Sequence, residues 1–263
     1  MSFDLVPGEH HQLPGSPLTL VVCQVRYVAT PAASDPATIL TIHERLGGRD
    51  GRYPVLEQVQ VTPPALPQAP GVPVAMPQVS VGWRFKSDDG TWIVSVLPDA
   101  FALETTTGYT SWTKDFRARL VQITDAVFEH VSPAMVQRIG LRYIDQITRP
   151  KIGKPVDWAP YIVPELLGPV LHPGFGEAIT GAQQQLELDI GDGVRCGLRH
   201  GFLRDAQSGD QLTYVLDTDV FRDGTRRYDN GQILADADRF HDVALALFRA
   251  SITPDLMKVF EEA

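Results

Sequence analysis

Three carboxylates carry the sharpest chemical signal in this 263-residue chain. In the stretch RIGLRYIDQI, strand alternation puts Ile139, Leu141, Tyr143, Asp145 and Ile147 on one face, so Asp145 shares the apolar side. Asp217 and Asp219 fall together on one side of another strand, with Val215 and Phe221. Burying a carboxylate is costly unless it meets a partner or a metal. If Asp145, Asp217 and Asp219 converged, their hard oxygen ligands would suit Mg²⁺ and a metal-dependent hydrolase or nuclease acting on phosphoesters. A structural role competes with that reading. Asp219 repeats Asp99 at an offset of 120 residues, as a corner or capping residue would.

A second constellation is basic. Arg26, Arg84, Lys86, Arg138, Arg142, Arg195 and Arg199 lie opposite the apolar sides of their strands. If those strands are neighbours, the seven side chains form a basic face for an anionic ligand or partner, with arginine supplying bidentate contacts. Tyr109, Trp158 and Tyr161 are candidate stacking surfaces at its edge. The competing reading is a solvated face whose arginines pair with Glu187, Asp189 and other carboxylates.

Other chemistry is thinly represented. No phosphate loop, GxGxxG, GxSxG or HExxH pattern occurs, which withdraws support from the nucleotide-binding, hydrolase and zinc-protease classes those motifs mark. There is no CxxC or HxxxH, so neither a cofactor nor a resident metal is expected. His10 and His11 sit near the N-terminus. His43, His130 and His241 fall on helical stretches as surface or boundary residues, and His200 reads as a buried, hydrogen-bonded imidazole. Cys23 and Cys196 occupy apolar alternating positions and read as small buried hydrophobes.

The elements that must position these groups are legible. Residues 18–28 alternate as a strand, and Asp35-Pro36 opens a short helix that Gly47-Gly48 ends. Residues 55–61 form another strand. Six prolines between 62 and 78 predict an extended connector. Residues 79–85 and 91–97 make a hairpin around Ser87-Asp88-Asp89-Gly90. Ser111 caps a long helix whose stripe runs Trp112, Phe116, Leu120, Ile123, Val127, Val131. In the second half, 184–190, 194–203 and 211–220 read as a strand meander. A helix over about 232–250 follows, with Ile233, Ala237, Phe240, Ala244, Leu247 and Ser251 inward.

Gly82-Trp83 and Gly201-Phe202, Gly90 and Gly209, Asp99-Phe101 and Asp219-Phe221, and Tyr109 and Tyr228 recur at 119 to 120 residues. The offset suggests an internal duplication. The expected fold is therefore α+β: two pseudo-repeated lobes, 1–150 and 151–263, each an antiparallel sheet with one long helix across it.

GWRFKSDDG, the following LPDAFAL, YTSWTKDF and RIGLRYIDQI together resemble a sporadically distributed, functionally uncharacterised bacterial protein family. The resemblance spans residues 17–252 and implies a soluble, cytoplasmic bacterial protein with no catalytic residues to transfer.

Composition sets outer limits. Hydrophobic residues at 43% and charged ones at 21% are those of an ordinary globular chain, and a net charge of −9 disfavours whole-surface binding to nucleic acid. No run is long enough to span a membrane, the N-terminus lacks a signal-peptide pattern, and two cysteines make no disulfide scaffold. The expectation is a non-catalytic binding or adaptor protein that recognises an anionic ligand or partner through the basic face or the cleft between lobes. Nucleic acid is less favoured as that partner. The metal-dependent hydrolase is the alternative.

Overall fold

The computed structural model describes residues 4–5, 13–61, 80–149, 152–205 and 211–262. The proline-rich connector, His10, His11, the turn at 208–209 and with it the Gly90–Gly209 match lie outside them. Nine strands form one antiparallel sheet: β1 (Leu18–Tyr27), β2 (Val55–Val61), β3 (Ser80–Lys86), β4 (Trp92–Leu97), β5 (Ala100–Thr105), β6 (Met135–Thr148), β7 (Gln183–Gly191), β8 (Val194–Asp205) and β9 (Gln211–Arg227). Their spatial order is β2-β3-β4-β5-β1-β6-β9-β8-β7. The helices are α1 (Pro36–Arg45), α2 (Arg117–His130), a single turn α3 (Pro164–Leu167), α4 (Asn230–Ser251) and α5 (Pro254–Glu262). The fold is α+β, and no helix among the described residues is long and apolar enough to cross a membrane.

Local chemistry explains the boundaries. Asp35 accepts from the Thr38 amide at 3.0 Å to cap α1, and Gly47 at φ +113° takes the chain out of it. Asp89 accepts from the Thr91 amide at 3.0 Å in the β3–β4 turn, with Gly90 at φ +70°. Asp229 caps α4 by accepting from the Gln232 amide at 2.8 Å. The Ser111 side chain accepts from the Lys114 amide, but the first turn, Trp112–Phe116, is π-helical before α2 proper begins.

Register turns alternation into two distinct faces. One transverse row runs Leu56, Phe85, Val94, Leu103, Cys23, Leu141, Val220, Cys196, Leu188 across all nine strands. Phe116, Leu120, Ile123, Ile233, Ala237 and Phe240 pack in the same buried cluster. A second cluster lies further along the same face of β6, β8 and β9. There Ile147, Tyr214 and Phe202 meet Trp158, Ile162, Leu167 and Phe260.

Two expectations change. The halves are not two separate sheets, because β6 of the first half pairs with β9 of the second within one continuous sheet. The offset of 119 to 120 is not a structural equivalence either. Asp99 sits in the turn between β4 and β5, whereas Asp219 lies mid-strand in β9, opposite Arg142. β5 was hidden inside the supposed corner, because Pro98-Asp99 permits a turn too short to show as a break in the apolar pattern.

Candidate functional site: a cavity beneath the long helix

Between the two clusters the sheet carries polar rows. Tyr143 pairs with Thr218, and Asp145 pairs with Leu18 on one side and Leu216 on the other. Leu216 in turn faces His200. Apolar packing is interrupted here, and a half-open cavity of about 520 Å³ occupies the gap. Its floor is Tyr143, Asp145 and Thr218, with Leu18 beside them. One wall is the segment 109–114, and the other is α4 through His241, Ala244, Leu245 and Phe248. Those four helical positions share one face by their three- and four-residue spacing.

The walls are held by a continuous network. Tyr143 Oη lies 2.8 Å from His241 Nδ1, and the Tyr109 ring meets the Tyr143 ring edge-on at 6.2 Å. Trp112 stacks on the His241 ring at 4.6 Å and donates from Nε1 to Asp238 at 2.9 Å. Arg117 donates to the same carboxylate at 2.7 Å. The π-helical turn thus delivers Trp112 to α4, as such turns often do at functional sites. Burial pushes the Tyr109 phenol up to about 12 and the Tyr143 phenol well above its usual range, so both stay protonated near neutral pH.

Asp145 is the exception in this network. It is 6% exposed, faces the cavity, and makes no hydrogen bond or ion pair among the described residues. Desolvation between two leucines pushes its carboxyl up to about 7. Such a group exchanges its proton near neutral pH.

The other face of the sheet carries no described helix. The seven basic residues do share it, as rows through Glu57, Arg84, Ser95, Ala102, Gln24, Gly140, Phe221, Arg195 and Asp189 demonstrate. Their charges are largely matched. Arg142 makes two 2.7 Å bonds to Asp217, which Arg199 also approaches at 3.3 Å. Arg138 bridges Asp219 and Asp223, Arg195 meets Asp223 at 2.7 Å, Arg26 meets Asp99, and Lys86 meets Glu57. Arg138 and Arg195 also lie over the Phe221 ring, at 4.0 and 4.9 Å. An incoming anion would have to displace carboxylates already bound, so this face is a charge-paired lattice rather than a basic groove.

The aspartate cluster is corrected by the same register. Asp145 projects to the helix side, while Asp217 and Asp219 project to the open side and are paired with arginines. The three cannot share one ion. Among the described residues no group of three or more His, Cys, Asp or Glu side chains could hold a metal.

Strand alternation put Asp145 on the buried face beside Tyr143 but grouped it with the wrong carboxylates and left out His241. His241 was expected as a surface or boundary residue, yet it is buried. Its position four residues after Ala237 and three before Ala244 would have placed it on the inward stripe. His43 is buried too, with Nε2 2.6 Å from the Tyr53 carbonyl oxygen. His200 is buried as expected, 2.8 Å from Tyr214 Oη. A smaller hollow of about 300 Å³ beside Arg45, Gly47 and Arg52 has no buried polar group among its lining residues.

Compared with protein-family models, curated proteins and solved structures, the chain finds no match in any of the three.

Proposed function

We propose that this is a non-catalytic binding protein whose ligand is a small molecule seated in the cavity between residues 109–114 and α4. The cleft is the one between the two halves of the chain, since one wall comes from the first half and the other from the second. The observation that carries the reading is the half-open space of about 520 Å³ at the break between two apolar clusters, lined by aromatic rings and a few convergent polar groups. Binding sites commonly have about 300–1,000 Å³ and that mixture of lining. The sheet face is the weaker candidate, because five of its six arginines, all but Arg84, already have carboxylate partners among the described residues. Free, buried Cys23 and Cys196 are compatible with a reducing cytoplasm as its setting. β1 with the β3–β5 meander and α2, and β6 with the β7–β9 meander and α4, follow one order once α1 and β2 are set aside, which supports an old duplication within one sheet.

The test is occupancy. Protein purified without denaturation should release a small molecule, detected by mass analysis after unfolding. Ala244→Phe projects a ring into the cavity from α4 and should remove that molecule while the circular dichroism spectrum is kept. The same molecule retained by a folded Ala244→Phe variant would refute the cavity as the site.

A further inference from the structure

We propose that the cavity selects a small organic cation, an amine carried on an apolar ring-bearing body, with its ammonium group seated against Asp145. This inference rests on the cavity reading above and adds the ligand class to it. The geometry is that of an uncompensated anion site. Asp145 is 6% exposed, points into the space, and has leucines as its two cross-strand neighbours. Every other deeply buried acidic side chain on the chain's described residues has cationic partners. Asp236 receives Arg222 and Arg226, and Asp217 receives Arg142 and Arg199. The fold thus compensates buried charge wherever it keeps it, and at Asp145 the space for the compensating group is the cavity itself.

The remaining lining suits the rest of such a ligand. Tyr109, Tyr143, Trp112 and Phe248 line the space with aromatic rings, whose faces attract cations and whose apolar surface packs the body of such a ligand. The other titratable groups lining the space are His241, held against Tyr143 and Trp112, and Lys114. Lys114 is exposed at the rim, where water and salt screen its charge. The two phenols remain neutral. Among the described residues the inner end of the cavity therefore has one ionising group of negative sign, and an ammonium entering it replaces the proton that Asp145 would otherwise hold.

Matched probes separate this from the broader reading: phenethylamine, phenethyl alcohol and phenylacetate, titrated calorimetrically into the full chain. Phenethylamine should bind about 10–100-fold more tightly than the alcohol, the range expected for a desolvated charged hydrogen bond, and phenylacetate should bind weakest. Asp145→Asn should lose that preference while still binding the alcohol. On the wild-type chain, with no substitution to confuse matters, amine affinity should rise from about pH 6 to about pH 8 as Asp145 gives up its proton. Equal binding of all three probes, blocked by Ala244→Phe, would leave the cavity reading standing and overturn the amine. Amine binding unchanged in Asp145→Asn would overturn it as well. Failure of every probe at millimolar concentration, or binding indifferent to Ala244→Phe, would remove both.

Discussion

Asp145 makes stability depend on pH in an unusual direction. An unfolded aspartate titrates near 3.9, and burial raises the folded group to about 7. Between those values the native state holds a proton that the unfolded state has lost. The Asp145 contribution to stability is therefore most favourable near or below about pH 4, falls as pH rises to about 7, and levels off beyond it. The full fall is on the order of 4 kcal/mol for a group this buried. Asp145→Asn removes the ionisation, so it should flatten that slope and leave the variant more stable than wild type above neutral pH. Denaturant midpoints across the window measure this directly. An unaltered slope in the variant would mean that Asp145 is not the group responsible. A residue that lowers stability at working pH is retained more readily at a binding site than in a scaffold.

At the scale of elements, the two long helices divide the labour. α2 and α4 cover the first apolar cluster with Leu120, Ile123, Phe240 and Ala244, while the C-terminal half of α4 and the turn before α2 enclose the cavity. Phe116 and Phe240 are both fully buried. Truncating either to Ala removes a large side chain from a close-packed layer, at a cost of about 3–5 kcal/mol. Thermal melts of each variant should show the loss. An unchanged midpoint would place that ring outside the core. The Trp112–Phe116 turn is π-helical, and it swings Trp112 toward Asp238 and His241 on α4. The apolar stripe from Trp112 to Val131 was visible in the sequence, but a stripe says only which side is inward. It does not reveal that the first turn is wider.

The whole molecule behaves as one sheet. β6 pairs with β1 on one side and with β9 along almost its full length on the other, from Met135 opposite Arg227 to Thr148 opposite Thr213. A cut after residue 150 would leave β9 with no partner on that side and take α4 from α2. We expect the fragment 151–263 to lack a cooperative unfolding transition by itself and to recover one when mixed with 1–150. A sharp, independent transition for 151–263 would mean that the halves are autonomous lobes after all.

By itself the sequence determined most of the elements and their faces, though neither β5 nor α5. The two-residue period of the strands put Asp145 with Ile139, Leu141 and Tyr143, and put the seven basic residues on the other side, because a pleated strand leaves each side chain one choice of face. Caps and glycines set where α1 and α4 begin and α1 ends, since those are local hydrogen-bonding and backbone demands. Which strand lies beside which is a different kind of fact. Only the tertiary structure separated Asp145 from Asp217 and Asp219, set carboxylates beside the arginines, and brought His241 from a position 96 residues later in the chain to within reach of Asp145's side of the sheet. Strand order is chosen by the summed packing of many long-range contacts, and no short stretch of residues carries that sum.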